Sequence, residues 1–464
     1  NGDVLDTLPE AMHGYLCGPG EAEGIIGGIV RHAAFSPVFA ALAEFCKVPG
    51  HRLMIVLGNH DLELMYPNIQ EFLWNELCSQ DDAARGRVTF ATAGTGFRCR
   101  VGRKLEQVSV ACVHGNEFDD WNAFEPRTLA RLIRAGTLGY ESPLTREAPN
   151  PGTQLVRDVM NGVKKEYPFV DLLKPEIAGV FTILLALAPE KISSVSELIR
   201  NMAAAQTVGA ARVARVLGQS VAQAEAETVT PPAGQWSPSQ NFAAFLGNGG
   251  NASELLSQAW QRTLDDREPE AFALEAGQVL GGAQLIRNLL GFWGRKINQN
   301  PKEALRVALK DWGGSPDTFD LDGPCDVFEA LAKLQPNVNI VVAGHTHLRR
   351  QKWLPLAGSP LRMPLYLNTG TWIRLMRLEL ADFEAPRFDT LYAALGAKTL
   401  AALDELGPTT TLKQRTVAVI RPTPNVPKTQ AAVCDFWPEL AVDPASSFDT
   451  VCTPVKEWAE VRRG

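Results

Sequence analysis

The sequence lacks an apolar run that could cross a membrane as a single helix. Such a helix needs about 20 consecutive apolar residues, and the longest candidate, at residues 177–188, has only 12. We predict a buried core helix there; the alternative is a lipid-facing surface. A signal peptide is not visible either, because Asn1-Gly2-Asp3 offers neither a basic start nor an apolar stretch.

Cysteine pairs and an excess of basic charge are also missing. The eight cysteines are scattered and include no Cys-x-x-Cys pair, which predicts reduced thiols in a cytoplasmic protein rather than a disulfide framework or a thiolate zinc site. Lysine and arginine number 45 against 52 aspartates and glutamates, for a net charge of −7. A dedicated binder of the nucleic-acid backbone needs a basic face, so this balance argues against that class of protein.

The length of 464 residues indicates more than one compact part, since single hydrophobic cores stop growing near about 250–300 residues. We predict an α/β core at 1–120 and 325–385, a large and mostly helical insertion at 121–324, and a C-terminal extension at 386–464 that packs on the core. The insertion contains a segment rich in glycine and proline, at 228–251, which predicts a long loop.

Spaced apolar residues and short apolar runs predict the individual elements. Helical spacing is present at 21–46 with a break at Ser36-Pro37, and at 125–135, 153–166, 175–188, 194–225, 252–264 and 270–293. Short, almost wholly apolar runs, as expected for strands buried on both faces, lie at 52–57, 108–113, 338–343 and 364–367, and a further strand is predicted at 416–420. This mixture of helices and buried strands predicts an α/β fold.

Clusters of glycine, histidine, asparagine and aspartate follow three of these strands directly. The clusters are Gly58-Asn59-His60-Asp61, His114-Gly115-Asn116 and Gly344-His345-Thr346-His347, and a related pair, Gly2-Asp3, stands at the start of the sequence. Ordinary residue usage gives Gly-Asn-His-Asp a chance of roughly one in a thousand in a chain this long. In open α/β sheets, ligands bind beyond the carboxyl ends of the strands, so we expect the four clusters to converge on one point.

The side chains in these clusters predict a site for hard or borderline metal ions. They offer carboxylate oxygens, an amide oxygen and imidazole nitrogens, without sulfur. This donor set suits Mn, Fe, Zn or Mg. His345 and His347 are two residues apart, so a regular strand would point both to the same side, whereas a turn lets them reach two neighbouring ions.

The order of the clusters resembles that of the calcineurin-like metallophosphoesterases, whose motifs run Asp-x-His, Gly-Asp, Gly-Asn-His-Asp or Glu, His, and Gly-His-x-His. All of these except the first have a counterpart here, within residues 1–120 and 325–380. The resemblance implies a metallophosphoesterase-like β-sandwich flanked by helices, with two divalent metal ions at the ends of its strands.

The resemblance also implies a role for each matching residue. The implied metal ligands are Asp3, which bridges the two ions, Asn59, His114 and His345, which complete the shell of the second ion, and His347, which belongs to the first. His60 is expected to protonate the leaving oxygen or to stabilise the transition state. Asp61 is expected to orient His60 by accepting its other ring proton.

The implied function is the metal-dependent hydrolysis of a small phosphorylated substrate, which is a phosphomonoester, a phosphodiester or a nucleotide-type diphosphate. Two ions about 3.5–4 Å apart share a hydroxide that attacks phosphorus in line. The helical insertion is expected to act as a cap that selects the substrate. In the related UDP-2,3-diacylglucosamine diphosphatases that substrate is lipid-linked, which corresponds to the alternative given above for residues 177–188.

One motif of the family, the opening Asp-x-His block, is absent from this sequence. None of the seven histidines has an aspartate two positions before it, and in the family the block lies just upstream of Gly-Asp. We expect the sequence to begin downstream of that block, because every later ligand is present. The alternative is a metallophosphoesterase-fold binding or regulatory module whose catalysis is impaired by the loss of one metal ion.

Overall fold

The structure is a computed structural model of the chain, and it describes part of the sequence. The described residues are 2–8, 16–94, 96–103, 107–119, 122–124, 126–140, 150, 152–153, 156–174, 301–312, 316–355, 363–423, 428–437 and 446–461. Outside them lie the helices predicted at 175–188, 194–225, 252–264 and 270–293 and the loop predicted at 228–251.

The described residues form a mixed α/β structure, which confirms the predicted class. The strands are β1 (Leu53–Val56), β2 (Val88–Ala91), β3 (Phe97–Val101), β4 (Val108–Cys112), β5 (Ile340–Ala343), β6 (Arg349–Trp353), β7 (Leu365–Thr369), β8 (Arg374–Met376), β9 (Thr411–Lys413), β10 (Thr416–Pro422), β11 (Thr429–Phe436), β12 (Cys452–Pro454) and β13 (Ala459–Val461). The helices are α1 (Pro19–Arg31), α2 (Ser36–Lys47), α3 (Pro67–Cys78), α4 (Asp82–Arg85), α5 (Pro126–Thr137), α6 (Asn161–Glu166), α7 (Pro301–Trp312), α8 (Asp326–Leu334), α9 (Arg387–Gly396), α10 (Leu400–Asp404) and α11 (Phe448–Val451).

The predicted helix at 21–46 is confirmed as two helices, although its break lies earlier than expected. Helix α1 ends at Arg31 and α2 begins at Ser36. Pro37 therefore stands at the second position of α2, where the missing amide proton costs no intrahelical hydrogen bond. The helices predicted at 125–135 and 153–166 are confirmed as α5 and as a π-helical turn that leads into α6.

The chain divides into two compact units, with boundaries after residues 157, 320, 371 and 414. The first unit comprises Asn1–Arg157, Leu321–Thr371 and Arg415–Gly464. The second comprises Asp158–Asp320 and Trp372–Gln414. Its described part contains the antiparallel pair β8–β9, and Arg374 binds Asp404 through two hydrogen bonds of 2.8 and 3.0 Å.

A five-stranded sheet lies at the centre of the first unit. Its order is β3-β4-β5-β7-β6, in which β4, β5 and β7 run parallel and the two edge strands are antiparallel to their neighbours. A second sheet, with the order β10-β11-β12 and with β13 also on β11, shares a hydrophobic core with the first. Residues 416–461 of the predicted C-terminal extension supply that second sheet.

Alternate side chains of the central strands face opposite layers, as the twofold repeat of a strand requires. Ile340 and Val342 of β5 pack with Val433 of the four-stranded sheet. Their neighbours Val341 and Ala343 belong to a cluster with residues of α8. This burial on both faces explains why β5 is an unbroken apolar run.

The parallel pair β1–β2 carries its own hydrophobic layer. Ile55 and Leu57, from β1 and the residue after it, belong to one buried cluster with Ile26 of α1 and Leu73 of α3. This layer fixes the position at which the chain leaves β1 and enters the cluster at 58–61.

No single helix in the described ranges is both long and apolar enough to cross a membrane. The pair α1 and α2 meets the length and composition test only when its two helices, which are bent by 90° relative to each other, are counted together.

Candidate metal centre

The sheet brings two of the predicted clusters to one edge. Strands β4 and β5 pair in parallel, with Cys112 opposite Val342, so their carboxyl ends point the same way. His114 follows the first strand, and Gly344 follows the second. The Gly344 N–H donates to the His114 carbonyl over 2.7 Å, which ties the two loops together where the polar side chains begin.

Asp61 anchors the N-terminal segment to the loop after β1. One oxygen of its carboxylate accepts the Gly58 N–H at 2.7 Å, and the other accepts the Val4 N–H at 2.8 Å. The His60 N–H in turn donates to Asp3 Oδ1 over 2.9 Å. These contacts place Asp3 beside the Gly-Asn-His-Asp cluster although 55 or more positions of sequence separate them.

Two glycines in the clusters permit this close approach. A Cβ atom added to Gly58 would lie 2.0 Å from Asp3 Oδ1 and 2.3 Å from the Asp3 backbone nitrogen. A Cβ on Gly2, whose φ is +76°, would lie 2.1 Å from His114 Nδ1. Neither position can accept a side chain without moving a predicted ligand.

Gly58→Ala is therefore expected to lower the free energy of unfolding by about 2–3 kcal/mol, because the new methyl group forces the segment around Asp3 away from β1. Chemical denaturation followed by circular dichroism measures the change. Gly24→Ala is the matched control: its Cβ meets nothing within 4 Å on the exposed side of α1, and it should raise stability by roughly 0.5–1 kcal/mol. Equal stability of Gly58→Ala and the wild type would contradict the close approach.

Asp3, Asn59 and His114 converge at the centre of the site. His114 Nε2 lies 3.0 Å from Asp3 Oδ2 and 3.1 Å from Asn59 Oδ1, and the His114 side chain is 2% exposed. An imidazole nitrogen carries at most one proton, so it cannot donate a full hydrogen bond to both oxygens. A cation that accepts all three lone pairs satisfies this geometry.

His345 extends the same set of side chains. Its ring meets the ring of His114 edge to face, with centroids 5.3 Å apart, and its Nε2 lies 2.8 Å from Asp119 Oδ2. His347 follows in the same turn and is half-buried. The side-chain contacts thus link Asp3, Asn59, His114 and His345, and His347 belongs to the set through the shared turn.

Backbone strain marks the same residues. Six described non-glycine residues have positive φ, and three of them are predicted ligands: Asp3 at 48°, His345 at 65° and His347 at 60°. Such conformations cost about 1–3 kcal/mol each and persist where the surrounding structure fixes them, as is common at functional sites. Beneath the turn, Asn368 Nδ2 donates to the Gly344 carbonyl over 2.6 Å and to Thr346 Oγ1 over 3.0 Å.

Two distances within the donor set are compatible with a shared divalent cation. Neighbouring ligand atoms on an octahedral ion with bonds of about 2.1 Å lie about 3.0 Å apart, which matches the distances from His114 Nε2 to both oxygens. Among the described residues, no group of three or more His, Cys, Asp or Glu side chains is arranged to hold a metal ion. The carboxylates and imidazoles come instead as separate pairs, which include Asp3 with His114 and Asp119 with His345, and the third donor beside the first of these pairs is the amide of Asn59.

Burial raises the pKa of both Asp3 and Asp61, but the strongest neighbouring charge lowers the pKa of Asp3 and raises that of Asp61. Burial alone would raise the pKa of Asp3, but the neighbouring His114 and His60 outweigh it and hold that pKa below its usual range. Burial, followed by the charge of Asp3, raises the pKa of Asp61 to about 7. The ionised carboxylate of Asp3 therefore faces His114, as a metal ligand would.

The expected partner of His60 differs from the prediction. His60 Nδ1 lies 3.0 Å from Asp6 Oδ1, whereas both oxygens of Asp61 accept backbone N–H groups of Gly58 and Val4. The carboxylate that contacts the His60 ring is therefore Asp6 and not Asp61 as predicted, and Asp61 holds the backbone. Asp61 does not meet the ring because its carboxylate is fully buried beneath the loop and points toward the N-terminal segment.

Two acidic residues of the site, Asp6 and Asp119, were not predicted as members of it. The spacing of Asp6, three residues after Asp3, would have indicated a second carboxylate near the same loop. Asp119 stands five residues after His114, in a stretch rich in acids and amides. A search of that loop for oxygen donors would have found it.

Comparison of the chain with protein-family models, with curated proteins and with solved structures returns no match.

Proposed function

We propose that the chain is a metal-dependent hydrolase of phosphate esters, with a centre of the calcineurin-like metallophosphoesterase type. The observation that carries the proposal is the convergence of Asp3 Oδ2 and Asn59 Oδ1 on His114 Nε2, at 3.0 and 3.1 Å. The strained backbone at Asp3, His345 and His347 supports the same reading, because strain is retained where function requires it.

The fold of the first unit is compatible with that family. Two sheets share one hydrophobic core, and helix α8 covers the other face of the central sheet. The polar loops follow the carboxyl ends of β4 and β5, where ligands bind in sheets with parallel strands. A metallophosphoesterase-like sandwich is the architecture that we propose for this unit.

Divalent cations would be held by Asp3, Asn59, His114, His345 and His347. When bound, they supply a positive field for the phosphoryl oxygens and activate water near neutral pH. Asp3 supplies the one carboxylate of this set, and the imidazoles bind as neutral ligands. The phosphate group of a substrate is an anion, so the metal-bound site would attract it and the metal-free site would repel it.

His60 is the residue placed to handle the proton of the leaving oxygen. Its side chain is 24% exposed, at the open side of the loop. Because Asp6 holds Nδ1, the ring has a fixed orientation, and Nε2 is the nitrogen that would pass a proton to the leaving group.

Hydrolysis of p-nitrophenyl phosphate and of bis(p-nitrophenyl) phosphate by the Mn²⁺-loaded chain tests the proposal, with the bound Mn²⁺ counted in the same samples. The expected result is hydrolysis of at least one ester that depends on Mn²⁺ and stops with a chelator. Bound Mn²⁺ without hydrolysis of either ester or of a nucleotide diphosphate would favour the alternative, a binding module on the same fold. A chain that binds no divalent cation would end the proposal.

A further inference from the structure

Asp119 reaches the candidate metal centre from the loop that follows β4. Among the predicted ligands, this loop also carries His114. Gly115, with φ of +120°, turns the chain after His114, and a short 3-10 helix at Asn116–Phe118 then leads to Asp119. The Asp119 carboxylate Oδ2 lies 2.8 Å from His345 Nε2. This carboxylate is 27% exposed, so it borders the site rather than lying deep in the core.

A second hydrogen bond orients Asp119 Oδ2. Asn122 Nδ2 donates to Asp119 Oδ2 over 2.7 Å, and Asn122 Oδ1 lies 3.5 Å from Asn59 Nδ2. Asp119 is thus joined to His345 directly and to Asn59 through one amide. Because His345 meets the ring of His114, the contacts run from Asp3 through both imidazoles to Asp119 and back to Asn59.

The charge of the set favours a role for Asp119 in cation binding. Asp3 is the one carboxylate among the five metal ligands predicted from the sequence, and the other four are neutral when they bind a metal. A further carboxylate beside His345 would add negative charge that offsets the positive charge of a bound divalent cation. The 2.8 Å separation from Asp119 Oδ2 to His345 Nε2 is close to the spacing of about 3.0 Å expected for neighbouring ligands on one octahedral ion.

We propose that Asp119 is itself a ligand of the metal centre and supplies a carboxylate next to His345. This inference rests on the proposed function, since it requires that the centre binds divalent cations. It assigns to Asp119, which the sequence analysis did not include among the ligands, a direct part in the site.

Titration of Mn²⁺ by isothermal calorimetry, with bound Mn²⁺ counted by elemental analysis, tests the role of Asp119. Asp119→Asn keeps an oxygen that accepts hydrogen bonds from Asn122 and His345 but removes the charge. We expect it to bind one Mn²⁺ at least tenfold more weakly than the wild type. The matched control is Asp322→Asn, since Asp322 forms a surface ion pair with Lys456, and it should bind as the wild type does.

A double mutant separates a ligand from a residue that merely orients His345. If Asp119 acts only through that ring, Asp119→Asn changes nothing further in a His345→Ala background. We expect a further loss of at least tenfold there, because the carboxylate contacts the ion itself. Asp119→Ser serves as the second variant if circular dichroism shows that the asparagine variant does not fold.

The outcomes distinguish this inference from the proposed function. Wild-type protein that binds Mn²⁺, together with an unchanged Asp119→Asn or with no further loss in the His345→Ala background, overturns the role of Asp119 and leaves the proposed function standing. Wild-type protein that binds no divalent cation overturns both.

Discussion

His114→Ala is expected to weaken binding of Mn²⁺ by about 100-fold or more and to abolish Mn²⁺-dependent hydrolysis. His114 Nε2 is the atom on which Asp3 and Asn59 converge, so its removal takes away the donor shared by both contacts. Removal of groups that merely support a ligand already costs about 10–100-fold in metal affinity, and loss of the ligand itself should cost at least the upper value. Equilibrium dialysis with elemental analysis measures the bound Mn²⁺.

The stability of the His114→Ala variant must be measured alongside its Mn²⁺ binding, because His114 is buried and its ring packs against Gly2 and His345. The alanine variant loses ring contacts, so its melting temperature without metal should fall. His51→Ala is the matched control, since His51 is exposed and stacks on Phe45 at the surface. A folded His114→Ala variant that binds Mn²⁺ as tightly as the control would remove His114 from the site.

His60→Ala is expected to lower the turnover number by roughly 10²–10⁴-fold, the usual contribution of a positioned general acid, while the bound Mn²⁺ stays the same. The metal should remain because the His60 backbone N–H that donates to Asp3 is retained in alanine. The ring instead contacts Asp6, which is not a predicted ligand. Turnover of p-nitrophenyl phosphate and Mn²⁺ content, measured on the same preparation, separate the two effects.

Two results would contradict this assignment of His60. An empty site in His60→Ala would make the ring a metal ligand, and an unchanged turnover number would exclude it from proton transfer. His51→Ala again provides the control for a lost surface imidazole, and it should match the wild type in both measurements.

The central strands could be predicted from the sequence because they are buried on both faces. Strands β4, β5 and β7 lie in the middle of their sheet, so every position favours an apolar side chain. The edge strand β3 was missed, since Arg98 and Arg100 alternate there with Phe97, Cys99 and Val101. Such alternation on a short edge strand is a weak signal. The edge strand β6 was missed for a different reason, because its sequence from Arg349 to Lys352 is wholly polar and only Trp353 is apolar.

The predicted ligands could be identified from the sequence because each directly follows a strand or stands in a dense polar cluster. Side-chain partners that depend on how loops close could not be identified in this way. The sequence places Asp61 next to His60, yet the direction of its side chain follows from burial, and the carboxylate that meets the ring is Asp6. Asp119 meets His345 across 226 positions of sequence, a contact that only the pairing of β4 with β5 creates.

The most direct test of the metal centre is anomalous diffraction from crystals of the chain grown or soaked with Mn²⁺. The expected result is an anomalous peak within about 2.0–2.3 Å of Asp3 Oδ2, Asn59 Oδ1 and His114 Nε2, the usual range for oxygen and nitrogen ligands of divalent ions. Coordinates in which these three side chains stand apart, with Mn²⁺ bound elsewhere or not at all, would contradict the account.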